Sequence, residues 1–318
     1  MLKISILACS LLLWTTHGAM AQEFPKKQPI KIVIATNAGG VTDALARVTA
    51  EFLQRRVSQA VVVEPKPGAA SVIGADYTAK SAPDGYTLYL AGPELAVIPA
   101  LRNNLPYRFD EFTYLIRPFT TSPLIVAGPK SPFSSTTDLV TYMKANPGKL
   151  TYGTPGVGSF NHVGGAMFEA SAGVKGLHVP YTGIAPVYQG LLAGDIDITM
   201  GAVPPFPDTL KVLGPAGTKR HPLYPNLPTL EELGYKNAGQ DVWFGFLAPP
   251  NLPKPIADRL TAEISAVLKD PEAIAKFQSV AKFVPDVNPL IGDEFKKRVL
   301  EENKRWKIVA EQAKISLQ

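Results

Sequence analysis

From Ile30 onward, short apolar runs rich in β-branched residues alternate with segments of helical period, and no other feature limits the fold so strongly. Ile30–Thr36 reads as a buried strand. Ala44–Arg56 then sets Leu45, Val48, Phe52 and Leu53 on one helical face. Val61–Glu64 and Thr87–Ala91 read as the next strands, with a helix over Val72–Ser81 between them and a Pro83-Asp84-Gly85 turn before the third strand. A βαβαβ order implies a mostly parallel sheet covered on both faces. A second series starts near Pro123, with strands at Leu124–Ala127, Leu150–Gly153, Leu177–Pro180 and Ile196–Met200. Its helices are predicted at Ser135–Ala145, Asn161–Ser171 and Ala185–Leu192. After the Pro-rich stretch 215–228 come an apolar run at Trp243–Ala248 and helices at Pro255–Leu268, Ala273–Val280 and Asp293–Ala313. At 318 residues the chain outgrows a single core, so two doubly wound α/β lobes are expected. Periodicity does not tell whether the chain passes between them once or twice.

Charge narrows the function classes. The formal net charge of +5 is small for this length, and the basic pairs Lys26-Lys27, Arg55-Arg56 and Lys219-Arg220 are scattered, so a nucleic-acid partner is not expected. Lys3, the apolar run Ile4–Trp14 and the Ala19-Met20-Ala21 cleavage pattern predict a secretory signal peptide over residues 1–21, cut before Gln22. The apolar run is about half the roughly 20 residues a membrane span requires. Cys9 leaves lipidation as an alternative, but it lies early in that run, and cleavage removes this single cysteine. The mature chain is therefore expected to be exported, with no stable membrane anchor, no disulfide and no thiol nucleophile.

The enzyme inventory is thin. His162, His178 and His221 are spaced too widely for a metal pair on one helix, and no nucleophile elbow, phosphate loop or dinucleotide fingerprint occurs. No enzyme activity and no cofactor are expected. What recurs is a strand, a small-residue loop and a helix start. The three examples are Asn37–Asp43, Gly153–Asn161 and Tyr181–Ala185. Glycines let backbone N–H groups turn inward, and a helix N-terminus adds about half a positive charge. Such loops suit a carboxylate, and in open α/β sheets they lie where ligands bind. Plain turn chemistry is the other reading, with Thr42 or Asp43 and Ser159 capping helices.

Eight strings identify the chain further. They are PIKIVIATNAGGVTD (29–43), VVVEPKPGAAS-IGA (61–75), APDGYTL (82–88), NPGKLTYGTPGVGS (146–159), HVPYTG (178–183), LLAGDIDI (191–198), KRHPLYPNLPTLEELG (219–234) and WFGFLAP (243–249). In this order the chain resembles the Bug family, the extracytoplasmic solute-binding proteins of tripartite tricarboxylate transporters. The resemblance implies a two-lobe periplasmic binding protein of the Venus-flytrap type with two hinge crossovers, near Leu124–Ala127 and Val242–Leu247. Lobe 1 would comprise residues 22–124 plus 243–318, and lobe 2 residues 125–242. It also implies periplasmic capture of a small organic acid, partly through ordered water, and delivery to the permease subunits of a tripartite transporter. Carried over by motif, Asn37, Gly40, Thr42 and Asp43 line the first lobe's side. Thr154, Gly158, Ser159, Phe160 and His162 line the second, with Ile184, Ala185 and Val203 closing the wall.

Some positions carry two readings. His162 is a ligand contact or a helix residue satisfied by local backbone. Asp43 fits an N-cap, or a binder of water or an amino group, better than a direct carboxylate contact, because two anions repel. Two departures from the family pattern bear on the ligand. Gly92-Pro93-Glu94-Leu95 follows the third strand where relatives commonly carry small or hydroxylated residues. A Glu94 carboxylate in the cleft opposes a dicarboxylate and favours an amine, a protonated ring nitrogen or a neutral end; alternatively Glu94 is a solvated helix-start residue. Phe160 replaces a small residue, and its ring either stacks on an aromatic acid or packs in the core. The expected function is capture of a carboxylated solute by lobe closure. A sensor presenting its solute to a membrane receptor kinase, and an exported hydrolase, are the alternatives.

Overall fold

A computed structural model describes residues 24–315, so the expected signal peptide lies outside the described residues. The strands form two sheets. The first has six: β1 (Ile30–Ile34), β2 (Val61–Pro65), β3 (Thr87–Ala91), β4 (Thr113–Thr121), β10 (Val242–Ala248) and β11 (Leu290–Ile291), in the order β11-β4-β10-β3-β1-β2. The second has five: β5 (Leu124–Ala127), β6 (Thr151–Thr154), β7 (Leu177–Pro180), β8 (Ile198–Ala202) and β9 (Lys211–Pro215), in the order β7-β6-β8-β5-β9. The helices are α1 (Val41–Val57), α2 (Val72–Ala79), α3 (Glu94–Leu101), α4 (Thr136–Ala145), α5 (Phe160–Ala172), α6 (Ile184–Ala193), α7 (Lys254–Val267), α8 (Pro271–Lys276) and α9 (Gly292–Ala313).

Each sheet grows from a parallel βαβ core, as the alternating pattern requires. β1 pairs in parallel with β2 and β3, and β6 pairs in parallel with β7 and β8. The strands joining the sheets run against these cores: β10 is antiparallel to β3 and β4, and β5 to β8 and β9. Period-two alternation decides what β5 buries. Ile125 and Ala127 enter one core of the second sheet, while Leu124 and Val126 enter the core on its other face. All seven residues of β10 are buried, so its run is uniformly apolar.

The chain passes between the sheets twice, through Ser122-Pro123 and through the segment between β9 and β10. Leu124 already pairs with Ala202 and Pro215 in the second sheet, and Val242 pairs with Thr121 in the first. Three strands escape the periodicity: β4, β9 and β11. Arg117 and Pro118 interrupt the apolar run of β4, yet Arg117 is buried there because Glu302 of α9 receives it at 2.9 Å.

Helix α9 holds the arrangement together. Its 22 residues bury Phe295, Val299, Trp306 and Ala310 along one stripe. Phe295 packs on Gly245, where a Cβ would collide with the ring, and edge-on against Trp243 at 5.4 Å. Toward its end, Trp306 meets Phe160 of α5 edge-on at 5.8 Å. Phe160, Val163 and Met167 accordingly belong to the first sheet's core although α5 covers the second sheet. Among the described residues no helix is long and apolar enough to cross a membrane.

Candidate functional site

The first glycine-bearing loop leaves β1 and enters α1. Gly39 holds a φ of +91°, which a side chain rarely adopts, and Gly40 occupies the N-cap without any side-chain cap. The expected capping by Thr42 or Asp43 is corrected by this geometry. Asp43 lies inside the first turn and bends back, so that its Oδ2 accepts from Gly39 N at 3.0 Å and Arg47 Nε at 2.9 Å. Burial pushes the Asp43 carboxyl up, but the hydrogen bonds from Arg47 and Gly39 and the Arg47 charge outweigh it and hold the group below its ordinary value. Its Oδ1 stays buried and unpartnered. Thr42 is buried, while Asn37 is exposed.

The second loop, from β6 into α5, satisfies itself. Ser159 is the N-cap; its hydroxyl donates to Gly156 O at 2.8 Å and accepts from His162 N at 3.3 Å. Gly158 N donates to His162 Nδ1 at 3.1 Å, so His162 follows the local-backbone reading. Thr154 is fully buried, and its hydroxyl meets His178 Nε2 at 2.7 Å. The rings of His162 and His178 stack at 3.9 Å and 12°. Burial lowers both; His162, which also feels the His178 and Lys175 charges, is pushed down to about 4. Phe160 is 3% exposed and packs edge-on against Trp306, within the first sheet's core. The cause is α9, which arrives from the first sheet and covers the start of α5.

Parallel pairing of β1 and β3 sends both following loops out of the same sheet edge. Glu94 therefore stands beside the first loop, at the opening of α3. It is half-buried rather than fully solvated, and burial pushes its carboxyl up, opposed only by its own backbone N–H. Next to it the backbone is strained. Ala69, Ala70 and Ser71 follow Gly68 with φ of +47°, +51° and +77°, and three successive non-glycine residues in the left-handed region cost on the order of 1–2 kcal/mol each. Ser71 meets the hydroxyl of buried Tyr89, which also feels the Glu94 charge.

A cavity of about 310 Å³ runs along α1 from the first loop to Glu51, with Lys276 and Val280 on its other side. Gly39, Gly40, Asp43 and Arg47 form one wall, faced by Pro205 from the segment after β8 and by Lys276 at the end of α8. Of the expected site residues, Gly40 and Asp43 line it. Val203 packs against the first sheet's core, Ile184 is half-buried against the second sheet's core and Ala185 is exposed. Thr154, Gly158, Ser159 and His162 do not line this cavity. The charges there are balanced: Asp43 pairs with Arg47, and Glu51 with Arg55 and Lys276 at 2.8 and 2.6 Å. Arg47 carried a signal the reading above did not use, since it lies one helical turn beyond Asp43. Lys276 and Pro205 carried none, because the fold alone brings them there. Unspent donors remain on the uncapped α1 terminus and on Arg47, whose side chain is 58% exposed. That arrangement can receive a carboxylate.

The chain matches, over residues 45–315, the family model described as the tripartite tricarboxylate transporter family receptor. It is 31% identical over 296 residues to the protein BugT of Bordetella pertussis, covering 90% of this chain and 89% of that one. Among solved structures it is similar to the periplasmic binding protein BugD, with a TM-score of 0.81, 28% identity and coverage of 92% and 99% of the two chains. It is likewise similar to the R. palustris protein Rpa4515 with adipate, with a TM-score of 0.82, 27% identity and the same coverages. The two-lobe α/β fold expected from the sequence is the fold of these proteins.

Proposed function

This chain belongs to the tripartite tricarboxylate transporter receptor family, and from that premise we propose that it captures a small carboxylated organic acid between its two lobes in the periplasm and hands it to the permease of such a transporter. The observation that carries the reading is the uncapped start of α1 at Gly40, which lines a cavity that Pro205, from the segment after β8, also reaches. The adipate bound to Rpa4515 supports the ligand class. A hydrogen bond to a charged group contributes about 1.5–3 kcal/mol, so three or four such donors supply the roughly 8.2 kcal/mol of micromolar binding when lobe closure costs little.

The ligand's far end follows from Glu94. A carboxylate at the same sheet edge with no cationic neighbour repels a second carboxylate and suits an ammonium group or a neutral hydrogen-bond donor. Thermal unfolding of the mature chain with succinate, 4-aminobutyrate and butyrate tests both statements. A ligand at 100 times its dissociation constant adds about 2.7 kcal/mol. We expect 4-aminobutyrate to stabilise most, and Glu94→Gln to shift the preference toward succinate. Failure of every carboxylate to stabilise the chain, in a wider panel of mono-, di- and tricarboxylates, defeats the capture reading. An unchanged order in Glu94→Gln defeats only the assignment of the far end.

A further inference from the structure

Two lobes joined only by crossing strands are free to swing apart; here a third connection, not a covalent one, also links them. Helix α5 covers the second sheet, yet Phe160, Val163 and Met167 along its first half are buried within the first sheet's core. Helix α9 supplies the partners. Trp306 meets Phe160 edge-on, and Arg305 Nη2 reaches Met167 Sδ at 3.5 Å and donates to the carbonyls of Asn237 and Gly239 at 3.1 and 2.8 Å.

The crossings close on the same place. Ala216 N donates to Pro123 O at 2.7 Å and Gln240 N to Ala216 O at 3.0 Å, so the two passages of the chain are bonded to each other. Two glycines permit this closeness: a Cβ on Gly217 would lie 2.6 Å from Ser122 Cα, and one on Gly239 would lie 2.8 Å from Gly217 O. Gln240 then lies across Gly164 of α5, where a Cβ would run into its amide. The first half of α5 is thus held between α9 and the crossing segment. The cavity at Gly40 is different. A Cβ on Gly40 meets no atom within 4 Å, and Pro205, which also reaches that cavity, is exposed.

Pulling α5 away from α9 would bring three buried apolar side chains into water, whereas turning one lobe about them exposes none. We propose that the start of α5, clamped by α9 and by the crossing at Gly217 and Gly239, is a fixed joint about which the lobes turn, so that capture moves the segment around Pro205 while the joint stays packed. The proposal rests on the lobe closure of the reading above but not on the identity of the ligand. The second loop, which enters α5 at Ser159, is then carried by the joint and keeps its place relative to the first sheet.

Distances between paired spin labels test the joint. The single cysteine, Cys9, lies in the expected signal peptide, so labels go only where cysteines are introduced. Ala170→Cys with Lys307→Cys spans the joint from α5 to α9. Asp208→Cys with Ser279→Cys spans the other side, with one label near Pro205 and the other next to Val280. All four positions are exposed. Measured without ligand and with excess succinate or 4-aminobutyrate, the second pair should give a broad or shifting distance distribution. The first pair should stay a single narrow peak throughout. Trp306→Ala should broaden that peak, and Arg305→Gln, which changes an exposed side chain, should broaden it less. Equal movement at both pairs overturns the proposal, as does movement at neither, since lobes that do not turn have no joint. A peak unchanged in both variants overturns the role given to α9. If neither acid raises the melting temperature, the choice of ligand is at fault, and the unliganded widths still decide the joint.

Discussion

The two glycine-bearing loops have the same sequence logic and opposite uses. At α1 the cap position is a glycine with no side chain to bond the first-turn N–H groups, and those groups open on a cavity. At α5 the cap is Ser159, whose hydroxyl bonds Gly156 O and His162 N, while Gly158 N bonds His162 Nδ1 and the Thr154 hydroxyl bonds His178. The pattern of strand, glycines and helix start therefore marks a place where an anion can be held. Whether the place is free depends on the side chains packed into it. On the proposed reading the first loop receives the ligand, while groups of the second bond one another.

The widest test of this contrast is Phe160→Ala. If α5 begins in the core, the variant loses about 3–5 kcal/mol of stability in chemical denaturation, as buried aromatics do, while carboxylate binding by the remaining folded protein changes little. A stable variant that loses affinity for aromatic acids would return the ring to the ligand. Next in size is Gly40→Asp. A Cβ at Gly40 meets no atom within 4 Å, so the new carboxylate caps α1 itself. The unliganded protein should gain a few tenths of a kcal/mol, and succinate or 4-aminobutyrate should bind at least tenfold more weakly by calorimetry. Unchanged binding would show that α1 is not the receiving end.

Acid separates the loops in another way. His162 titrates near 4 in the fold against an ordinary value of 6.5, so the unfolded chain takes up its proton first as pH falls. The second loop then loses stability between about pH 6.5 and 4, by at most about 1.4 kcal/mol per pH unit for this group. Asp43, held below its ordinary 3.8, keeps its contribution until pH falls below that value. Unfolding measured from pH 7 to 4 should show the decline, to which buried His178 and His221 also contribute, and His162→Gln should reduce its slope; an equal slope in the variant would detach the effect from this histidine. The smallest effect belongs to Arg47→Gln. The i,i+4 pair joins an exposed guanidinium to the buried Asp43 carboxylate, so its loss should cost on the order of 1 kcal/mol and lower the melting temperature by a few degrees at most.

Much of the fold was legible because strands covered on both faces must be largely apolar, as β1, β5 and β10 are, whichever way their neighbours run. β4 was hidden by Arg117, whose burial makes sense only beside Glu302, 185 positions away in the chain. The site was legible to the level of its loops. Position in a motif predicted Gly40 and Asp43, and the structure puts both on the cavity wall. It also nominated Ser159 and His162, whose bonding capacity is used locally, because a motif records which groups are present and not which are already taken. Phe160 shows the same limit, since its partner Trp306 arrives from the far end of the chain.

The order of the strands along the chain has a temporal consequence. The second sheet is assembled from one continuous stretch, β5 to β9, and every strand it needs has been synthesised once Pro215 is made. The first sheet begins earlier but stays split, because β10 fills the slot between β3 and β4 and the final helix closes over them. The half that starts second is thus the one that can finish first, leaving β3 and β4 each with an open edge until the last quarter of the polypeptide arrives.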